Sequence, residues 1–66
     1  MTIIVNGENR TCNEGATLLE LIQTLGLESK VMAAAVNMNI VKQDVWGEHR
    51  LNDGDKLELL DFVGGG

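Results

Sequence analysis

The first residues of the chain place apolar side chains at alternate positions, which is the pattern of a strand with one buried face. Met1, Ile3 and Val5 fall on that face, and Asn6-Gly7 is the dipeptide most typical of a two-residue hairpin turn. A second strand, from about Glu8 to Cys12, is predicted to return antiparallel to the first. The chain therefore opens with a β-hairpin.

A helical period follows the hairpin. Thr17 and Glu20 match a capping box, in which two residues exchange side chain to backbone hydrogen bonds at the start of a helix. Gly26 is suited to the left-handed conformation that ends a helix. The apolar stripe between them consists of Leu18, Leu21, Ile22 and Leu25, and we expect Leu27 to fold back on Ile22. Because so short a helix is unstable alone in water, it must lie on a sheet.

The second half of the chain predicts three more strands. An alanine-rich apolar run, Val31 to Val36, suits a central strand beneath the helix, and Ile40-Val41 forms a short strand after a turn at residues 37–39. A turn signal at residues 52–55 precedes the last strand, Lys56 to Val63. The order β-β-α-β-β-β indicates an α+β domain with its helix on one sheet face. Since the first and last strands both have apolar inward faces, we expect them to be neighbours in the middle of a mixed sheet, as in a β-grasp (ubiquitin-like) fold.

The last strand presents two different faces. Leu57 and Leu59 are predicted to point into the core, because successive side chains of a strand alternate between its faces. The opposite face then leaves apolar area exposed beside acidic side chains, which favours docking to a basic partner. This candidate docking surface consists of Glu58, Leu60, Asp61 and Phe62.

Length and charge narrow the class of protein. Sixty-six residues (7.2 kDa) allow one small domain, predicted here as residues 1–63, with no room for a catalytic cleft and its supporting shell. Ten acidic against five basic residues give a net charge of −5, which argues against a nucleic-acid surface. No apolar run approaches the roughly 20 residues of a membrane span, and Met1 leads directly into a strand rather than a signal peptide. We therefore expect a soluble, cytoplasmic protein that is a monomer when free and does not bind membranes.

The residues with reactive or ligating side chains form no site. One cysteine and one histidine cannot build a closed zinc site, and no nucleophile–base pair or glycine-rich phosphate loop is present. Cys12 is predicted to be a small buried residue, and His49 a solvated loop residue. Trp46 is predicted to hold the irregular segment Gln43–Arg50 on the core, with ligand stacking as the alternative. The sequence thus predicts no catalytic residue, no metal and no cofactor bound by this chain.

The run Gly64-Gly65-Gly66 is the feature that points to function. Three glycines give a flexible tail without side chains, which can enter a narrow channel and present the carboxylate of Gly66 to another protein's active site. A frayed end is the plain alternative. Directly after the last strand of a β-grasp domain, however, the run is much more specific.

Taken together, these segments resemble the ThiS family, the sulfur carrier proteins of bacterial thiamine biosynthesis. The resemblance runs from Met1 to Gly66. It is carried by the order of short motifs rather than by any single one. These motifs are Ile3-Ile4-Val5-Asn6-Gly7, Gly15-Ala16-Thr17-Leu18 with Glu20, Leu21 and Leu25, Ala35-Val36-Asn37 with Ile40-Val41, Trp46, Leu51 with Asp53-Gly54-Asp55, and Phe62-Val63-Gly64-Gly65-Gly66.

The resemblance implies a protein that is a substrate and not an enzyme. In the family, a ThiF-like adenylyltransferase uses ATP and magnesium to adenylate the terminal glycine carboxylate. Sulfur from a persulfide donor then replaces AMP, and the resulting thiocarboxylate supplies sulfur to thiazole synthase. By position, Gly65 and Gly66 are the functional pair, and Gly64 lengthens the tail by one small residue.

Two other interpretations stay open at this point. The chain could serve another sulfur pathway, as the small subunit of molybdopterin synthase does, because a carrier does not state its acceptor. It could also be a ubiquitin-like binding module without covalent chemistry. In that case, deleting the glycines would leave partner binding and cellular function unchanged.

Overall fold

The computed structural model describes residues 1–61, and of Asp61 the backbone only, so Phe62 to Gly66 lie outside the described residues. The helix α1 lies on one face of a five-stranded sheet in the order β2-β1-β5-β3-β4. The pairing of β1 with β5 is parallel and the other pairings are antiparallel. The elements are β1 (Thr2–Val5), β2 (Glu8–Thr11), α1 (Leu18–Thr24), β3 (Val31–Val36), β4 (Asn39–Val41), a 3₁₀ turn (Gln43–Val45) and β5 (Lys56–Asp61).

This topology confirms the predicted β-β-α-β-β-β order and the pairing of the first and last strands. Strand β5 occupies the middle position, and β3, which was predicted as a central strand, lies beside it in the interior of the sheet. The strand predicted to reach Val63 is described as far as Asp61. The strand predicted to reach Cys12 ends at Thr11.

Helix α1 begins and ends as its sequence predicts. The Thr17 hydroxyl accepts a hydrogen bond from the Glu20 N–H, and the Glu20 carboxylate accepts one from the Thr17 N–H. At the other end, Gly26 has φ +73°, and the Leu27 N–H reaches back to the Ile22 carbonyl at 3.1 Å. This last bond is the signature of a Schellman motif, so the helix termination is local in origin.

The core lies between α1 and the sheet. It combines the inward side chains of β1, β3 and β5 with one face of the helix and with Trp46. Its buried members are Ile3, Val5, Leu18, Leu21, Ile22, Val31, Ala34, Val36, Val41, Trp46, Leu51, Leu57 and Leu59. Leu25 is half-buried at the edge of this cluster.

Strand β3 contains a bulge that the sequence did not predict. Val31 pairs with Asp61 and Ala33 pairs with Leu60, so Met32 is an extra residue without a cross-strand partner. The bulge resets the alternation, because Val31 and Ala34 both face the core although they are three positions apart. From Ala33 onward, the alternation is regular.

Both hairpins have two-residue turns with positive φ at each central position, the type I′ geometry. Asn6 and Gly7 have φ +49° and +85°, and Asn37 and Met38 have φ +50° and +71°. The second turn is one residue shorter than predicted, since Asn39 already belongs to β4. Met38 occupies a position that suits glycine.

The segment between β4 and β5 packs against the start of α1. The N–H groups of Leu18 and Leu19 donate to the carbonyls of His49 and Trp46, at 2.8 and 3.1 Å. These bonds supply acceptors for N–H groups that the first helical turn leaves unpaired. His49 lies in a loop as predicted, but it is half-buried rather than fully solvated.

Candidate functional site

The sheet face opposite the helix is open, and we refer to it as the open face. On β5, Leu57 and Leu59 are buried, whereas Glu58 is exposed and Leu60 is 62% exposed. The predicted division of this strand into two faces is therefore confirmed as far as Leu60. The Asp61 side chain and Phe62, which complete the predicted docking surface, lie outside the described residues.

A groove runs along the open face between β4 and β5. Its floor is formed by Ala33 and Ala35 of β3, because their side chains are shorter than those of the residues beside them on β4 and β5. Ala35 pairs with Ile40 on one side and with Glu58 on the other, and Ala33 pairs with Leu60. The groove has a volume of about 400 Å³ and is also lined by Asn6, Ala34 and Leu59.

The walls of the groove differ in chemistry. Ile40 is 74% exposed on the β4 side, which is a large exposed area for an aliphatic side chain. Glu58 stands on the β5 side. The ion pairs within residues 1–61 join the terminal ammonium to Glu14 and Arg10 to Glu8, so the Glu58 carboxylate has no cationic partner there. The groove is thus mostly apolar, and its polar side chains are Asn6, which is hydrogen-bonded to Leu59, and Glu58, which has no cationic partner in residues 1–61.

Asn6 holds the far end of β5 in place. Its side-chain oxygen accepts a hydrogen bond from the Leu59 N–H at 2.8 Å, and its amide nitrogen donates to the Leu59 carbonyl at 3.2 Å. The register of β1 with β5 ends at Val5 and Leu57, so the asparagine side chain continues the ladder where the backbone of β1 turns away. The strand that leads to residues 62–66 is therefore anchored close to its end.

A second polar network fixes the beginning of β5. Asp55 is buried and accepts hydrogen bonds from the Asn37 amide at 2.9 Å and from the Asn52 N–H at 2.8 Å. The Asn37 side chain also accepts from the Lys56 N–H at 3.0 Å. Because each bond replaces one that water would make, the buried carboxylate is satisfied. The turn signal at residues 52–55 gave no indication that Asp55 would be buried.

Trp46 is 1% exposed, and its indole N–H donates to the Val41 carbonyl at 2.8 Å. The ring is therefore not available for ligand stacking, and the predicted structural role is confirmed. The bond also pairs a carbonyl of β4, the outer strand on this side of the sheet. Trp46 thus fixes the strand that carries Ile40.

Cys12 is half-buried at the edge of a hollow between the end of β2 and the helix. Burial raises the pKa of its thiol, which keeps the sulfur protonated and weakly nucleophilic at neutral pH. Within residues 1–61, no hydrogen bond joins Cys12 to His49.

The part of the chain that the structure describes contains no group of three His, Cys, Asp or Glu side chains placed to hold a metal ion. No helix among residues 1–61 is long and apolar enough to cross a membrane. The candidate site is therefore the open face and the strand end beside it, together with the glycines that follow outside the described residues.

Sequence reasoning missed three residues of this site: Ala33, Ala35 and Ile40. Alanines in a buried-looking run were interpreted as close packing beneath the helix, and only Ala34 behaves in that way. The alternation of side chains along β3 could have indicated that Ala33 and Ala35 share a sheet face. The bulge at Met32 interrupts this alternation, so its starting residue is not evident from the sequence.

Comparison with known proteins adds the family context. The model of the ThiS family matches residues 3–66. The sulfur carrier protein ThiS of Escherichia coli is 33% identical over 66 residues, which cover all of both chains. A thiazole synthase of Paramagnetospirillum magneticum is 38% identical over the same 66 residues, and the chain spans only 20% of that protein's length.

The fold has a close counterpart among solved structures. The crystal structure of the thiamine biosynthesis protein ThiS from Geobacter metallireducens superposes with a TM-score of 0.82 at 28% sequence identity. The superposition covers 100% of both chains. The β-grasp architecture predicted from the strand order is thereby confirmed.

Proposed function

Because the chain belongs to the ThiS family, we propose that it is a sulfur carrier of thiamine biosynthesis that holds sulfur as a thiocarboxylate on Gly66. The observation that carries this proposal is the family match, which extends through the final glycines. The full-length similarity to the E. coli sulfur carrier supports it. The chain acts in this scheme as a substrate of other enzymes.

The chemistry starts from an unreactive group. A free α-carboxylate has a pKa of about 3.5 and is anionic at pH 7, which makes it a poor acyl electrophile. The Gly66 carboxylate attacks the α-phosphorus of ATP and pyrophosphate leaves, so that the carboxyl carbon becomes part of an acyl-adenylate. The adenylating partner supplies ATP, magnesium and the stabilisation of developing charge.

Sulfur then replaces the nucleotide. A persulfide on the donor attacks the acyl-adenylate carbon through its outer sulfur, and AMP leaves with the bonding electron pair. A second thiol reduces the resulting acyl disulfide, and the Gly66 thiocarboxylate and a donor disulfide are the products. Neither step needs a side chain of this protein, which agrees with the protonated state of Cys12.

The folded domain fixes the strand that precedes the tail. Strand β5 is held at its start by the Asn37 and Asp55 network and near its end by Asn6. A partner that docks on the open face therefore contacts a strand whose position is fixed by these bonds. Near-attack geometry tolerates errors of only about an ångström, so this anchoring matters for adenylation.

Three partners follow from the proposal. A ThiF-like adenylyltransferase activates Gly66, a persulfide protein donates sulfur, and thiazole synthase accepts it. The last of these is supported by the thiazole synthase of P. magneticum, part of which is similar to the whole of this chain. The docking surface comprises Glu58, Leu60, Asp61 and Phe62, and Phe62→Ala is expected to weaken binding to the adenylyltransferase without unfolding the domain.

The test uses the full chain with the ThiF-like adenylyltransferase of the organism that encodes it. ATP–pyrophosphate exchange is expected with the wild-type chain. Deletion of Gly65 and Gly66 retracts the carboxylate by up to ~7 Å and should abolish exchange. The same deletion variant should inhibit exchange of the wild-type chain competitively, since its docking surface is intact.

Intact mass completes the test. After incubation with the adenylyltransferase, ATP, a persulfide donor and a reducing thiol, the wild-type chain should gain the mass difference between one sulfur and one oxygen, localised to the C-terminal peptide. A variant with a C-terminal tag, in which Gly66 is an amide, should gain nothing. Normal exchange with the tagged and unprocessed chain would refute the carrier function and favour a non-covalent binding module.

A further inference from the structure

We propose that the groove on the open face receives one arginine or lysine side chain of the protein that adenylates Gly66. This inference rests on the proposed function and adds to it the chemistry of the contact. Its basis is the combination of an alanine floor, an exposed aliphatic wall and a single unpaired carboxylate at Glu58.

The groove matches the shape and polarity of a long basic side chain. Such a side chain has an aliphatic stem and a charged head. The stem lies on Ala33 and Ala35, with Ile40 and Leu60 on either side. The head reaches the carboxylate of Glu58, which is the cross-strand neighbour of Ala35 and therefore stands at the edge of the floor.

Other occupants fit the groove less well. A purely apolar side chain that filled it would take the Glu58 carboxylate out of water without a partner, which is strongly unfavourable. An acidic side chain would be repelled both by Glu58 and by the net charge of −5. Lys56 projects from the same face two positions earlier but forms no ion pair with Glu58 in the described chain. The carboxylate is therefore available to an external cation.

The position of the tail determines which protein supplies that cation. Five residues lie between Leu60 and Gly66, and the six residue steps that join them span at most ~22 Å in an extended chain. A protein that holds the Gly66 carboxylate in its active site must then have surface within that distance of Leu60. The groove lies directly beside Leu60, so the adenylating enzyme is the partner placed to fill it.

Five variants separate charge from shape. Glu58→Gln removes the charge and keeps the size, and Ala35→Leu fills the floor of the groove and keeps the charge. Glu48→Lys is the control for Glu58→Lys, because Glu48 is an exposed acid in the segment that packs against α1 and its substitution changes the net charge equally. Thr24→Leu is the control for Ala35→Leu, because Thr24 is an exposed residue of α1 and its substitution adds a leucine away from the open face.

Two measurements are made with the ThiF-like adenylyltransferase of the same organism. Titration calorimetry without ATP gives Kd, and ATP–pyrophosphate exchange gives KM for the chain and kcat. We expect Glu58→Gln and Ala35→Leu to raise Kd and KM by about tenfold, the effect of losing one partly buried charge contact or its site. Glu58→Lys should raise them further, and kcat should change little in all of them because Gly66 is unaltered.

The salt dependence identifies the contact as ionic. The wild-type Kd should rise with added salt more steeply than the Kd of Glu58→Gln, because screening acts on the pair that the variant lacks. Glu48→Lys and Thr24→Leu should bind as the wild type does. Circular dichroism and urea unfolding of each variant establish that its fold is unchanged.

The outcomes are distinguishable from those of the proposed function. Unchanged Kd and KM in Glu58→Gln and Ala35→Leu overturn the inference while exchange by the wild type upholds the carrier function. An effect of Ala35→Leu without one of Glu58→Gln overturns the basic occupant. If the wild type binds but supports no exchange, the carrier function is refuted, and the Kd values of the variants alone then test the groove. If the wild type does not bind, both proposals are overturned. A sedimentation coefficient of the isolated chain that indicates a dimer, lost in Ala35→Leu, would assign the groove to a second copy instead.

Discussion

Replacement of Met38 by glycine is expected to stabilise the domain. Met38 has φ +71° at the second central position of the β3–β4 turn, a conformation that costs an L-residue with a side chain about 1–2 kcal/mol. Glycine removes that cost, but it also increases the conformational entropy of the unfolded chain. This increase offsets about 0.4–1 kcal/mol of the stabilisation. Because the Met38 side chain is 84% exposed, little packing is lost. The net gain should therefore be about 0.5–1 kcal/mol.

Urea unfolding followed by Trp46 fluorescence measures this gain, since the chain has one tryptophan and it is buried. The midpoint should move to higher urea at an unchanged slope, because the surface exposed on unfolding stays the same. In a domain of this size, a change of 1 kcal/mol corresponds to about 4–8 °C in Tm.

The other hairpin provides the matched control. Gly7 has φ +85° in the equivalent turn, and a Cβ added there meets no atom within 4 Å. Gly7→Ala should consequently destabilise the domain by about 1 kcal/mol through the backbone alone. Met38→Ala should leave the free energy of unfolding almost unchanged, as it keeps the strained φ. A neutral or destabilising Met38→Gly, alongside the expected loss in Gly7→Ala, would refute the reasoning and show that the methionine side chain contributes contacts.

Three further substitutions test the anchoring contacts. Trp46→Phe should lower the free energy of unfolding by about 2–4 kcal/mol, because the Val41 carbonyl loses its buried donor and the core loses ring volume; circular dichroism in urea measures it. Asn6→Ala should cost about 1–3 kcal/mol and speed hydrogen exchange of the Leu59 amide, whereas equal exchange in both chains would contradict the anchoring of β5. Cys12→Ala should retain sulfur loading with a modest loss of stability. The raised pKa of Cys12 also predicts slower alkylation by iodoacetamide at pH 7.5 than in the urea-unfolded chain, and equal rates would show an accessible thiolate.

Local signals account for what could be predicted about the fold. The capping box, the glycine C-cap and the first hairpin each depend on a few neighbouring residues whose conformational preferences agree with the final structure. The alternation of Leu57 and Leu59 with Glu58 and Leu60 likewise follows from one strand alone. These features are visible in sequence because no distant contact is needed to decide them.

The rest depends on contacts between distant segments. The bulge at Met32 arises from the register of β3 against β5, and the burial of His49 and Asp55 arises from segments that fold back on the helix and on Asn37. The groove has the same origin, because Ala35 acquires Ile40 and Glu58 as neighbours only in the assembled sheet. The C-terminal glycines are the opposite case, because they are evident in the sequence but lie outside the described residues.

The parallel pairing of β1 with β5 has a mechanical consequence. Because the strands are parallel, the start of β1 and the end of β5 lie at opposite ends of the pair. A force applied between residues 1 and 61 therefore slides one strand along the other. The load falls at the same time on the hydrogen bonds that join Ile4 to Asp55 and Asn6 to Leu57 and Leu59. Bonds loaded in shear break together rather than one after another, and forced unfolding is governed by the rate of that event and not by equilibrium stability. The domain is therefore built to withstand traction along β5, the direction in which an enzyme that grips the residues beyond Asp61 would pull.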